Sequence, residues 1–95
     1  MDLKELIERE GATIVDVREP FELMMGKVPG ALNIPLGQVS GRVAEFRQMS
    51  KPLILICASG NRSGQAARFL QQQGLTEVYN GGGWRDVRYL KRMAA

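Results

Sequence analysis

The chain has 95 residues and a formal net charge of +3; 44% of it is hydrophobic, 24% is charged, and it contains one cysteine and no histidine. This is the size and composition of one small globular domain: a single thiol excludes an internal disulfide, and a thiol without histidine excludes a His/Cys metal site. The mild charge is scattered as solvated surface rather than massed as a nucleic-acid footprint, and with no apolar signal core or membrane-length run the expected setting is cytoplasmic, without nucleic-acid or membrane partners.

Taken in order, the elements alternate as in an α/β domain. Asp2 is placed to cap a first helix, with Glu5 three residues on as the return half of a capping box; Leu3, Leu6 and Ile7 are its apolar stripe and Gly11 its end. Ala12 to Val17 reads as the first strand, with Asp16 and Arg18 at its carboxyl end. Asp16 fits a structural ion pair that braces loops, and Arg18 is open between that bracing role and contact with a substrate. Pro20 suits the first turn of a short helix over Phe21 to Met25, where Met24 and Met25 read as core-filling or rim residues. Ala31 to Ile34 is a short strand stopped by Pro35. Val39, Val43 and Phe46 recur at helical spacing and predict one helix running to Met49.

The central stretch follows Pro52. Leu53-Ile54-Leu55-Ile56 is an apolar run ending at Cys57, the only cysteine, and a small-residue turn leads into a helix expected from about Asn61 to Gln73. In open α/β folds such a turn delivers a helix N-terminus to the carboxyl edge of the sheet, where ligands bind. A lone cysteine is by default a buried core residue. Here Ser59, Gly60, Asn61 and Ser63 are turn and capping types that support a loop, and Arg62 is a cation in a first helical turn, which the helix dipole disfavours unless an anion is near. Backbone N–H groups of Ala58, Ser59, Gly60, Asn61 and Arg62 curling around the Cys57 sulfur would favour thiolate, the setting of a nucleophile.

After this loop, Ala66, Ala67 and Leu70 mark the buried stripe of its helix, with Gly74 as the C-cap. Glu77 to Tyr79 is the last strand, Gly81-Gly82-Gly83 the next loop, and Trp84, Val87 and Leu90 the stripe of a final helix. Arg85, Arg88, Lys91 and Arg92 lie on that helix's other faces and read as solvated surface, the alternative being a dock for an acidic partner.

Four segments in this order resemble the rhodanese (sulfurtransferase) family in its single-domain form: Asp16-Val17-Arg18-Glu19-Pro20-Phe21-Glu22, Gly26-Lys27-Val28-Pro29-Gly30-Ala31-Leu32-Asn33-Ile34-Pro35, the loop from Cys57 to Gly64, and Val78-Tyr79-Asn80-Gly81-Gly82-Gly83-Trp84. Lys27 stands where the family commonly has His, Ala58 where many members carry Arg or Lys, and no short strand precedes the first helix. The resemblance implies a three-layer α/β/α domain over residues 1–95 with a small, mainly parallel sheet of four or five strands, and no cofactor. It also implies that a Cys57 thiolate takes a sulfane sulfur from a donor such as thiosulfate as a persulfide. An acceptor (cyanide, a small thiol or a protein thiol) then removes that sulfur, while the loop donors and Arg62 hold the charge. Alternatives are a persulfide carrier or interaction module for a protein partner, and a cysteine phosphatase or arsenate reductase. The last pair is disfavoured because such loops put five residues between Cys and Arg, and Cys57 and Arg62 enclose four.

Overall fold

The computed structural model describes residues 2–94. Helix α1 (Leu3–Glu8) begins at Asp2, whose carboxylate accepts from the Glu5 N–H at 2.9 Å. Strand β1 (Thr13–Asp16) leads to a 3-10 segment (Pro20–Met25), a two-residue strand β2 (Leu32–Asn33), and helices α2 (Leu36–Val39) and α3 (Val43–Gln48). The loop-bearing unit follows as β3 (Leu53–Cys57) and α4 (Asn61–Gln72), and β4 (Val78–Gly83) and α5 (Trp84–Ala94) complete the order. Among the described residues no helix is long and apolar enough to cross a membrane.

All strand pairings are parallel, in the order β2-β1-β3-β4. Central β3 is buried along its whole length, as a strand covered on both faces must be. Its side chains alternate between two cores. Leu53, Leu55 and Cys57 face one with Val39 of α2, Phe46 of α3 and Ala66, Ala67 and Leu70 of α4. Ile54 and Ile56 face the other with Leu6 and Ile7 of α1 and Trp84 and Val87 of α5. The result is a three-layer α/β/α arrangement. From the β1/β3 pair the connections leave in opposite directions, β1 toward β2 and β3 toward β4, which makes the carboxyl ends of these two strands the ligand-binding edge of such a sheet.

Three expectations need correction. The one helix expected over Val39 to Met49 is instead the end of α2, a 3-10 turn (Ser40–Arg42) and α3; Gly41, a poor helix residue, lies in that turn. The triple glycine is not a loop, because β4 continues through Gly83 with a bulge opposite β3: Leu55 pairs with Asn80, and Ile56 already with Gly82. A β-carbon on Gly81 would lie 2.6 Å from Ile54 Cγ2 and 2.9 Å from Ile56 Cγ2, so the strand passes there only as glycine. The basic face of α5 is also not simply solvated. Arg85 and Arg88 stack on the Trp84 ring at 4.5 and 4.6 Å from its centroid, and Lys91 Nζ donates to the Pro29 carbonyl at 3.0 Å.

Candidate active site

Cys57 ends β3 on that edge with its residue surface almost wholly buried. Ala58 and Ser59 are exposed, and Gly60 turns the chain into α4 with φ +98°, a left-handed conformation open to glycine at little cost. The turn brings the Gly60 N–H to 3.0 Å from Cys57 Sγ. The first turn of α4 adds the Ser63 N–H and the Ser63 hydroxyl, each 3.4 Å from the sulfur.

The loop is pressed onto β4 where only small residues fit. Added β-carbons would lie 3.2 Å from Gly82 Cα at Gly60, 3.0 Å from the Ala58 carbonyl oxygen at Gly83, and 3.0 Å from Asn80 Nδ2 at Gly64. Asn80 fastens the two together. Its Nδ2 donates to the Gly60 carbonyl at 2.9 Å, and its Oδ1 accepts from the Gly82 N–H at 3.0 Å and the Ser63 hydroxyl at 2.7 Å. Ser63 has one hydroxyl proton and two acceptors in reach. Given to Asn80, it leaves Ser63 Oγ free to accept from a Cys57 thiol; turned to the sulfur, it stabilises a thiolate.

Two influences compete on the thiol. Burial, the larger single one, pushes its pKa up; hydrogen bonds from the Ser63 hydroxyl and from the N–H groups of Ser63, Ser59 and Gly60 push it down. The donors together prevail, and Cys57 lies below the ordinary thiol value.

Arg62 lies at the start of α4, part-exposed, with its guanidinium in a bidentate ion pair: Nη1 and Nη2 donate to the two carboxylate oxygens of Glu22 at 2.7 and 2.9 Å. The Arg62 hydrogen bonds, followed by one from the Glu19 N–H, hold the Glu22 carboxyl at about 2, and the Arg62 pKa is raised chiefly by Glu22. The negative charge of Cys57 contributes to the same shift of Arg62, so the cation feels the sulfur.

Arg18 points inward, and with Asp16 it is 2% exposed in the side chain. Its Nε and Nη2 donate to the Asp16 carboxylate at 3.0 and 2.7 Å. Nη1 and Nη2 hold the carbonyls of Glu22 and Gly26 at 3.1 and 2.9 Å, and the guanidinium lies 4.6 Å from the Trp84 centroid. Of the two roles left open for Arg18, this is the geometry of bracing, and it leaves no surface for a substrate.

Of the residues singled out in the sequence, Cys57, Ser59, Gly60 and Ser63 converge on the sulfur. Ala58 and Asn61 are exposed, and the Asn61 side chain accepts from Gln65 Nε2 at 3.4 Å. Arg62 faces a carboxylate. Ser63, expected only as loop support, is a direct partner of the sulfur. Sequence pattern alone assigns no role to Glu22 or Asn80, whose only trace is their place in the first and last of the four segments, Glu22 two residues after Pro20 and Asn80 just before the three glycines.

A lone thiol on the carboxyl edge of a parallel sheet, inside a turn of backbone donors, defines a parallel α/β domain with a cysteine-centred loop. The family of rhodanese-like domains matches residues 1–89, and the chain belongs to it. It is 48% identical over 69 residues to the uncharacterized protein YqhL of Bacillus subtilis, covering 73% of this chain and 54% of that one. It is 38% identical over 74 residues to the thiosulfate sulfurtransferase PspE of Escherichia coli, covering 77% of this chain and 71% of that one. A rhodanese-related protein of Thermoplasma volcanium superposes with a TM-score of 0.74 at 40% identity, over 90% of this chain and 83% of that structure. The chain thus spans about half the length of YqhL.

Proposed function

We propose that this protein is a sulfurtransferase that carries sulfane sulfur as a persulfide on Cys57. The observation that carries this is the donor set on one sulfur: Gly60 N–H at 3.0 Å with Ser63 N–H and Oγ at 3.4 Å, which hold a buried thiol below its ordinary pKa. The thiolate attacks the outer sulfur of a donor such as thiosulfate. The Cys57 S–S bond forms as the donor's S–S bond breaks, and sulfite leaves with the electron pair. No proton is needed by that leaving group, so a chain without histidine lacks nothing for the step. A second nucleophile, cyanide or a thiolate, then attacks the terminal sulfur and restores the Cys57 thiolate. The loop donors serve both anions, thiolate and persulfide. Asp16 and Arg18 act here as braces, and Ala58, Ser59 and Asn61 line the exposed approach.

Delivery to a protein thiol is favoured over a small acceptor by one feature. Met24 and Met25, expected as core-filling or rim residues and not as a recognition surface, are 88% and 74% exposed, and with Phe21 at 71% they leave an adaptable apolar surface on the 3-10 segment that carries Glu22 to Arg62.

The test is incubation with thiosulfate alone, followed by intact mass, then turnover with cyanide and with a panel of small and protein thiols. A species one sulfur atom heavier, lost in Cys57→Ser and discharged by an acceptor, is the expected result. Transfer undiminished in Cys57→Ser would remove the proposal.

A further inference from the structure

The cation at the mouth of the loop is already occupied. Arg62 spends its fork on both oxygens of Glu22, and Glu22 is no loose surface acid: Arg18 Nη1 holds its carbonyl at 3.1 Å and the Glu19 N–H donates to its Oε1 at 2.9 Å. Arg18 is in turn fixed by Asp16 and stacked on Trp84. The Glu22 carboxylate is therefore presented to Arg62 by a braced segment, and an incoming anion meets a neutral pair instead of a free guanidinium. A dianion such as thiosulfate must displace or share the fork against a fixed like charge, whereas a donor of lower charge is penalised less.

Resting on the sulfurtransferase reading of this site, we propose that Glu22 is a specificity-determining residue, which by occupying Arg62 biases the loop against dianionic sulfur donors and toward donors of low charge, such as organic thiosulfonates and persulfides.

The experiment has a binding arm and a turnover arm. In the first, inorganic sulfate, an inert dianion, protects Cys57 from the neutral alkylating agent iodoacetamide in wild type, Glu22→Gln, Glu22→Asp and Arg62→Ala, each checked for folding by circular dichroism. Glu22→Gln is expected to lower the half-protecting sulfate concentration about tenfold. Glu22→Asp, which keeps the charge, is expected to return it toward wild type, and Arg62→Ala to abolish protection. In the second arm, Glu22→Gln is expected to lower the KM for thiosulfate at least about threefold more than that for the monoanion benzenethiosulfonate. A Glu22 that merely props up Arg62 cannot give tighter anion binding when removed. Protection unchanged or weaker in Glu22→Gln, or unchanged in Arg62→Ala, overturns the proposal. If the wild type takes sulfur from no donor, the sulfurtransferase reading fails by itself, and the sulfate arm still decides the role of Glu22.

Discussion

Ser63 meets Cys57 twice, with its backbone N–H and its hydroxyl each 3.4 Å from the sulfur, six residues along the chain and one helical turn into α4. Both contacts favour the anion, and the hydroxyl is the strongest of the influences lowering the thiol. Ser63→Ala removes that one and leaves the N–H groups. The alkylation midpoint of Cys57 is therefore expected to move up toward the ordinary thiol value, with several-fold slower labelling at neutral pH. The stability change is expected to stay near about 1 kcal/mol, because Asn80 Oδ1 keeps its bond from Gly82. A pH profile of iodoacetamide labelling, wild type against variant, is the measurement; coincident profiles would make the hydroxyl a partner of Asn80 only.

The brace under the site is expected to show in stability. Asp16→Asn keeps the shape but leaves the Arg18 guanidinium, 2% exposed, without its counter-charge. Removing one partner of a buried pair costs about 3–5 kcal/mol. Urea unfolding followed by Trp84 fluorescence measures it, and a loss under about 1 kcal/mol would mean that Arg18 relaxes out to solvent.

What could be read in the sequence was what local pattern controls. The apolar run into Cys57, the turn residues after it and the alanine stripe of α4 each fix their own conformation, and the parallel order follows from alternating elements. What could not be read depends on contacts across the fold. Arg62 carries no sign that its anion is Glu22, forty residues earlier, since the pair exists only once the 3-10 segment packs beside α4. Three glycines in a row look like a loop, and only the crowding of Gly81 against Ile54 and Ile56 makes them a bulged strand. Asn80 looks like an ordinary turn residue for the same reason. The donor set shifted too: Ser63 rather than Ala58, Asn61 or Arg62 reaches the sulfur, because Gly60 turns left-handed and α4 begins at once.

The loop size sets another expectation. Cys57 and Arg62 enclose four residues, one fewer than in cysteine phosphatases, and the ring is drawn in further by the Gly60 N–H. Such a ring suits a single sulfur better than a phosphoryl group, so hydrolysis of aryl phosphates is expected at background. Efficient hydrolysis lost in Cys57→Ser would move the site to phosphoryl chemistry.

The Glu22–Arg62 pair sets an acid dependence. Glu22 lies at about 2, depressed from 4.5 chiefly by its hydrogen bonds with Arg62. A depressed carboxylate contributes stability that is complete above its unfolded value and is lost as pH falls through its folded one. The difference in melting temperature between wild type and Glu22→Gln is expected to be constant from neutral pH to about 5 and to shrink between about 4.5 and about 2. A difference unchanged through that range would show that the pair's charge does not contribute.

Gly60 and Gly74 separate backbone strain from site geometry. Both have positive φ, +98° and +91°, so alanine at either position is expected to cost about 1–2 kcal/mol. Beyond that they differ. A β-carbon on Gly74 meets nothing within 4 Å, whereas one on Gly60 lies 3.2 Å from Gly82 Cα, where only backbone can give way. The Gly60 N–H also lies 3.0 Å from the sulfur, closer than either Ser63 donor. Gly60→Ala is therefore expected to push the turn off β4, lengthen that bond and raise the Cys57 pKa, with sulfur transfer falling further than stability explains. Gly74→Ala is expected to lose a similar amount of stability while its labelling profile stays that of wild type. Urea unfolding and the alkylation pH profile, run on both variants, check this. Equal labelling profiles in the two would mean that the left-handed turn at Gly60 serves folding alone.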